Sequence, residues 1–115
     1  MQPRKTARGA TAAAPLFAAL GDETRLRLVA RLSQDGPLSI ARLTDGARVS
    51  RQAVSKHLGA LSAAGLVQSR RRGRERIWAL EPRRLGDARH YLDAVSAEWD
   101  AAIERLRRFV EDPTS

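Results

Sequence analysis

The sequence predicts a single, mainly helical α+β domain with one β-hairpin and a long C-terminal helix. Three observations lead to this fold class. The chain has 115 residues and 43% of them are apolar, which suits one domain with a modest core. Apolar residues recur with helical spacing through most of the chain. By contrast, two short runs around Gly73 are typical of β-strands.

Residues 1–12 lack apolar periodicity, so we expect a flexible tail before a domain that spans residues 13–112. Pro15 suits the first turn of a short helix that ends at Gly21. This stretch is too short and too interrupted for a signal peptide, and no apolar run approaches the length of a membrane span. We therefore expect a cytoplasmic protein without a membrane partner.

Two further helices follow. Asp22 is suited to cap the second helix, which reaches about Ser33. Its predicted apolar face consists of Leu26, Val29, Ala30 and Leu32. A short third helix is expected from Ile40 to about Asp45, with Ser39 as its cap.

The fourth helix is expected to begin after Ser50 and to end at Gly65. Its core-facing residues recur at helical spacing and are Val54, Leu58 and Leu61. With the third helix and a tight turn at Gly46, it forms a helix-turn-helix of ordinary length.

A β-hairpin is predicted directly after this unit, with strands at residues 66–70 and Glu75–Leu80. A helix-turn-helix followed by a hairpin is the order of a winged helix-turn-helix. Residues 46–76 carry eight basic groups and one acidic group, a net charge of +7, whereas the whole chain carries +8. Such concentrated positive charge is expected of a surface that contacts the phosphates of double-stranded DNA.

The outward face of the fourth helix has side chains that can read DNA bases. Opposite the core-facing residues lie Gln52, Ser55 and Lys56, and the N-terminal end adds Ser50 and Arg51. Gln can pair with adenine, Lys can donate to guanine and Ser suits either base. An ordinary solvated face is the alternative.

His57 lies about 60° from Val54 around the helix, at about 100° per residue, on the flank of its core side. It is either a packed, hydrogen-bonded histidine or a phosphate contact, and we include it in the predicted DNA-binding set.

The hairpin contains five arginines around Gly73: Arg70, Arg71, Arg72, Arg74 and Arg76. Like charges this close repel each other unless an anion binds. Edge strands also use charge to prevent aggregation, but five arginines exceed that need. We therefore predict that all five contact DNA.

The long last helix has apolar residues at alternating steps of three and four, a heptad seam of about 25 residues. The alternatives are a homodimer interface, which we favour, and packing against the helix's own domain. The predicted interface consists of Leu16, Phe17, Leu20, Leu85, Leu92, Val95, Trp99, Ile103 and Leu106.

Metal-binding residues are sparse. The chain has no cysteine and two histidines, a poor ligand set for a transition metal. His90 lies three residues from both Asp87 and Asp93, which is either a fragment of a metal site or a solvated helix face. We expect no metal and no other cofactor.

A family resemblance rests on the segments LFAALGDETRLRLVARL, SRQAVSKHLGALSAAGLV and RRRGRERIWALEP and on the last helix with Trp99. Together they resemble the ArsR family of bacterial winged-helix repressors over residues 16–110. The resemblance implies a homodimer that binds palindromic operators and represses transcription until an inducer reaches it. The third helix lacks the cysteine motif of many relatives, and Arg89 and Asp100 stand where others have histidine. The chain therefore resembles the metal-independent branch, whose signal these residues do not identify.

The sequence thus favours a dimeric, sequence-specific regulator, a repressor at an inverted-repeat operator. A non-specific, nucleoid-type architectural protein is the alternative. An enzyme is not expected, because no acid pair, nucleophile with a base, or Gly-rich phosphate loop is present.

Overall fold

The computed structural model describes residues 2–112, with side chains from Gly9 onward. Five helices and three strands follow one another as α1 (Gln2–Leu20), α2 (Glu23–Asp35), β1 (Leu38–Ser39), α3 (Ile40–Thr44), α4 (Arg51–Ala63), β2 (Val67–Arg72), β3 (Glu75–Leu80) and α5 (Pro82–Glu111). The predicted α+β fold class is confirmed. Within the described residues, no helix is both long and apolar enough to cross a membrane.

The helix starts follow local capping chemistry, as predicted. The side chain of Asp22 accepts a hydrogen bond from the backbone N–H of Arg25 at the start of α2. Ser39 and Ser50 cap α3 and α4 in the same way. Each cap satisfies a backbone N–H that has no partner within its helix, so each start is fixed by two or three neighbouring residues.

The three strands form one antiparallel sheet in the order β1-β3-β2. Trp78 lies opposite Leu38 of β1 on one side and opposite Ser69 of β2 on the other. The hairpin turns at Gly73, whose φ of 64° is in the left-handed region that favours glycine. Strand β2 extends two residues further than predicted, and β1 was not predicted, because a two-residue strand depends on its partner rather than on its own sequence.

A flexible tail was expected over residues 1–12, but α1 is helical from Gln2. Pro15 lies inside this helix instead of in its first turn, at the expense of one N–H donor. Two properties compensate for the proline. The segment is rich in alanine, the best helix former, and Gly9 lets the backbone lie close to the ring of Tyr91 in α5.

The core lies between α1, α2, α4 and the sheet. Its fully buried side chains are Leu16, Leu43, Val54, Leu58, Leu61 and Leu66. In α2 the buried pair is Leu28 and Leu32, four residues apart on one face. The prediction had placed Leu26 in this face, but its side chain is 51% exposed. Leu26 precedes the buried Leu28 by two residues, and side chains two residues apart point to nearly opposite sides of a helix.

Helix α5 extends well beyond this core. Its 30 residues correspond to about 45 Å of helix, at about 1.5 Å per residue. The radius of gyration is 19.0 Å, whereas a compact chain of this length would have about 13 Å. The distal half of α5 therefore has little of its own chain to pack against.

Candidate nucleic-acid interface

Helix α4 presents one buried face and one open face. Val54, Leu58 and Leu61 are fully buried, as predicted. The opposite side borders a shallow concavity lined by Ser50, Gln52, Ala53, Ser55 and Lys56. All of these except Ala53 are exposed, as is Arg51 at the first helical position. The side chains predicted to read bases therefore lie together on one surface.

His57 does not belong to that surface. It is half-buried, and its Nδ1 lies 3.2 Å from Nη1 of Arg25 and 3.8 Å from Oδ2 of Asp22. Its position on the core flank of α4 directs the ring towards the start of α2. This arrangement favours the packed, hydrogen-bonded histidine of the two alternatives, and a phosphate contact of His57 stays a prediction.

Asp22 carries the negative charge of this cluster. Hydrogen bonding from the backbone N–H of Arg25 lowers the pKa of Asp22 below its ordinary value; desolvation of the carboxylate opposes this, and the positive charge of Arg25 lowers the pKa further. The carboxylate is therefore ionised at neutral pH, as a helix cap near the positive end of the α2 dipole requires.

The wing is the hairpin of β2 and β3, and its five arginines are all exposed. Arg71 lies directly opposite Arg76 across the two strands, so two like charges share one face of the hairpin. Such a pair is destabilising unless something offsets it. Arg76 also donates a hydrogen bond to Oγ of Ser69, 2.9 Å away, which orients its guanidinium. This face is suited to bind an anion.

Two further arginines tie the segments before and after α4 to other helices. Nη1 of Arg31 in α2 donates to the backbone carbonyls of Leu43 and Asp45, at 3.4 and 2.5 Å, and so ties the end of α3 to α2. Nε of Arg84 in α5 donates to the carbonyl of Ala64 at the end of α4, 3.4 Å away. Sequence reasoning missed both residues. No local pattern distinguishes an arginine that reaches another element from one that is solvated.

The predicted dimer residues fall into two groups. Leu16 is fully buried in the core of its own chain, so its assignment to a dimer surface is wrong. Phe17, Leu20 and Leu85 are half-buried against the same core. The remaining seam residues are half-buried Val95 and the exposed Leu92, Trp99, Ile103 and Leu106, and the exposed Phe109 and Val110 continue the seam.

A cavity of about 640 Å³ lies between α1 and α5. It is lined by small residues that include Ala13 and Ala94, and also by His90, Asp87 and Tyr91. The ring of Tyr91 packs at 5.8 Å from that of Phe17. Among the described residues, no cluster of three or more His, Cys, Asp or Glu side chains could hold a metal ion.

The known proteins that are similar to this chain include transcriptional regulators and repressors. A family model described as a helix-turn-helix domain matches residues 20–70. An HTH-type transcriptional regulator of Mycobacterium tuberculosis is 44% identical over 93 residues, which cover 81% of this chain and 83% of the relative. The arsenical resistance operon repressor of Escherichia coli is 31% identical, with 84% and 80% covered.

A solved structure agrees with these relatives. An ArsR-like transcriptional regulator from Rhodococcus sp. RHA1 superimposes with a TM-score of 0.71 at 36% identity, and the match covers 86% of this chain and 92% of that one. These relatives are named as regulators and not as enzymes, in agreement with the prediction. The chain therefore belongs to the ArsR family of winged helix-turn-helix transcriptional regulators, which bind DNA.

Proposed function

We propose that this regulator acts in the cytoplasm as a homodimeric repressor that binds an inverted-repeat site in double-stranded DNA and recognises its sequence through α4. The observation that carries this proposal is the open polar face of α4. Gln52, Ser55 and Lys56 lie together near the N-terminal end of the helix, where recognition helices contact base edges.

The wing supports the proposal as a second contact. Its arginines are exposed on the segment that follows α4 directly, and the Arg71–Arg76 pair would lose its repulsion on contact with a phosphate. Phosphate contacts supply affinity without sequence information, whereas the α4 side chains supply the choice of bases. The two surfaces are thus assigned complementary roles.

The exposed seam of α5 supports the homodimer. Trp99 is 66% exposed and Phe109 is 70% exposed on the part of α5 that projects beyond the core. Soluble proteins seldom leave such a contiguous apolar stripe in water, and spacing of three and four residues is that of helices that pack side by side. A two-fold dimer through this stripe would present two α4 helices, and hence favour an inverted repeat.

Repression, as opposed to activation, is supported by the names of relatives. The matched protein of Escherichia coli is named an operon repressor, and a relative of Mycobacterium tuberculosis that is 36% identical over 92 residues is named a transcriptional repressor. Neither name identifies a signal for this chain, so the proposal includes no inducer.

The test is selection of preferred duplexes from a random pool with the full chain. The expected result is enrichment of one inverted repeat with half-sites about one DNA turn apart, about 34 Å. Equal affinity for all duplexes, with a steep dependence on salt, would refute sequence recognition and favour an architectural DNA-binding protein. A reporter gene behind the selected site then tests repression, because increased expression in the presence of the protein would refute it.

A further inference from the structure

One side chain joins three helices at the inner flank of α4. Arg25, in the first turn of α2, donates from Nε to the backbone carbonyl of Ala19, 2.5 Å away, near the end of α1. Its Nη1 lies 3.2 Å from Nδ1 of His57 in the middle of α4. The guanidinium thus bridges the end of α1 and the helix proposed to read DNA.

The contact with α1 satisfies a group that the helix itself leaves open. Ala19 is one of the last four residues of α1, whose carbonyls have no partner within the helix, and the C-terminal end of a helix attracts positive charge. The planar guanidinium can donate from two nitrogens in fixed directions, which an ammonium cannot do. Arg25 is therefore suited to fix an angle between two elements, not only to neutralise a charge.

The contact with α4 places a specific demand on His57. Because a guanidinium nitrogen can only donate, Nδ1 of His57 is the acceptor in its hydrogen bond with Arg25. Oδ2 of Asp22 accepts from the backbone N–H of Arg25, so the start of α2 is held at the same place. In the cluster of Asp22, Arg25 and His57, the guanidinium of Arg25 donates, and the side chains of Asp22 and His57 accept.

We propose that Arg25 is a positioning residue for DNA recognition: through His57 it holds α4 at a fixed orientation to α1. This inference rests on the proposed function, in which α4 reads bases and the dimer sets the spacing of its two copies. The two recognition helices of a dimer lie about 34 Å apart, so each lies about 17 Å from the two-fold axis. At that distance, a rotation of about 10° moves a base-reading atom by about 3 Å. Because this is the length of a hydrogen bond, a small loss of orientation abolishes readout while phosphate contacts persist.

The variant Arg25→Met tests the bridge, with Arg27→Met as its matched control. Both remove one positive charge from α2, but Arg27 is exposed and pairs with Glu23, one turn earlier on the same helix. The probes are the duplex selected from the random pool and an unrelated duplex of equal length. Arg25→Met should weaken binding of the selected duplex about ten- to a hundredfold, about the loss expected when a good base contact is removed, and that of the unrelated duplex less than about threefold. Arg27→Met should change both by less than about threefold.

His57 provides a second arm that does not depend on Arg25→Met folding normally. His57→Gln keeps an acceptor within reach of Arg25 and should retain most of the preference for the selected duplex, whereas His57→Leu should lose it. The double variant Arg25→Met/His57→Leu should lose no more than either single variant, because both changes break the same bridge. Circular dichroism and sedimentation of every variant show whether fold and assembly are retained.

The outcomes separate the inference from the proposed function. A wild-type chain with no preferred duplex would refute the proposed function and this inference with it. A wild-type chain with a preferred duplex, but with Arg25→Met and His57→Leu equal to Arg27→Met, would overturn the inference alone. Equal losses on both duplexes, or additive losses in the double variant, would also overturn it, because they indicate loss of stability or of charge and not of orientation.

Discussion

Replacement of Trp99 by arginine tests the homodimer most directly. In a single chain the indole is 66% exposed, on the part of α5 that extends beyond the core. The substitution should therefore leave the fold of the protomer intact, while it puts a charge into the apolar stripe that the proposed dimer buries. A change in assembly without a change in helix content is the expected signature.

The size of the effect follows from the exposed area. A tryptophan side chain contributes up to about 250 Å², so burial of the exposed two-thirds would contribute about 4 kcal/mol, and burial of half of that area about 2 kcal/mol. A two-fold interface contains Trp99 twice, so even partial burial implies about 4 kcal/mol for the dimer. Dimerisation should then weaken by roughly a thousandfold, before the desolvation of arginine is included.

Sedimentation at micromolar concentration measures the result. The wild-type chain should sediment as a dimer and Trp99→Arg as a monomer with unchanged far-UV circular dichroism. Ala101→Arg is the matched control, because it introduces the same charge at an exposed position on nearly the opposite side of α5 and should remain dimeric. A wild-type monomer, or a Trp99→Arg dimer of undiminished affinity, would refute the assignment of the seam to a homodimer.

Three further variants test the DNA surfaces and the fold. The wing variant changes three exposed arginines to alanine, namely Arg71, Arg72 and Arg74. It should weaken all duplexes similarly and reduce the slope of log affinity against log salt by roughly one for each lost phosphate contact; an unchanged slope would contradict this. Gln52→Ala should weaken the selected duplex by about 1–3 kcal/mol and relax one symmetric pair of base positions, and an equal loss on an unrelated duplex would place Gln52 at a phosphate. Gly65→Ala should lower the free energy of unfolding by about 1–2 kcal/mol in urea, because φ is +79° there and a Cβ would lie 3.1 Å from Arg84. Gly86→Ala, in open space within α5, is the control and should not destabilise the protein.

The elements that sequence predicts well are those with local causes. Asp22, Ser39 and Ser50 each cap a helix by contact with a backbone N–H three residues later, so the signal is complete within one turn. The buried face of α4 is similarly local, because three apolar residues at helical spacing leave one possible orientation. These predictions fix most of the helix-turn-helix without knowledge of the rest of the chain.

The errors have distant causes. Helix α1 is longer than predicted, and its Gly9 lies close to Tyr91, about 80 residues later, a contact that no local pattern reports. Leu16 was predicted to lie in the dimer interface, but it is buried in the core of its own chain. The sequence alone does not indicate which apolar surface an apolar residue packs against. The contacts of Arg25, Arg31 and Arg84 were missed for the same reason: their partners are backbone carbonyls and a histidine from other elements.

The two interpretations of the α5 seam, packing against its own domain and a homodimer interface, do not exclude each other. One regular spacing of apolar residues runs along the whole helix, yet the core of the chain reaches only its first turns. Leu85 and Ala88 pack there, whereas from Leu92 onward the same stripe faces water, apart from half-buried Val95. Exposed positions of a helix tolerate polar residues freely, so solubility alone does not require the apolar stripe of α5 to continue beyond the core. The continuation of the stripe past the core therefore argues for a second partner of the same helical geometry, as another copy of α5 would be in the proposed homodimer.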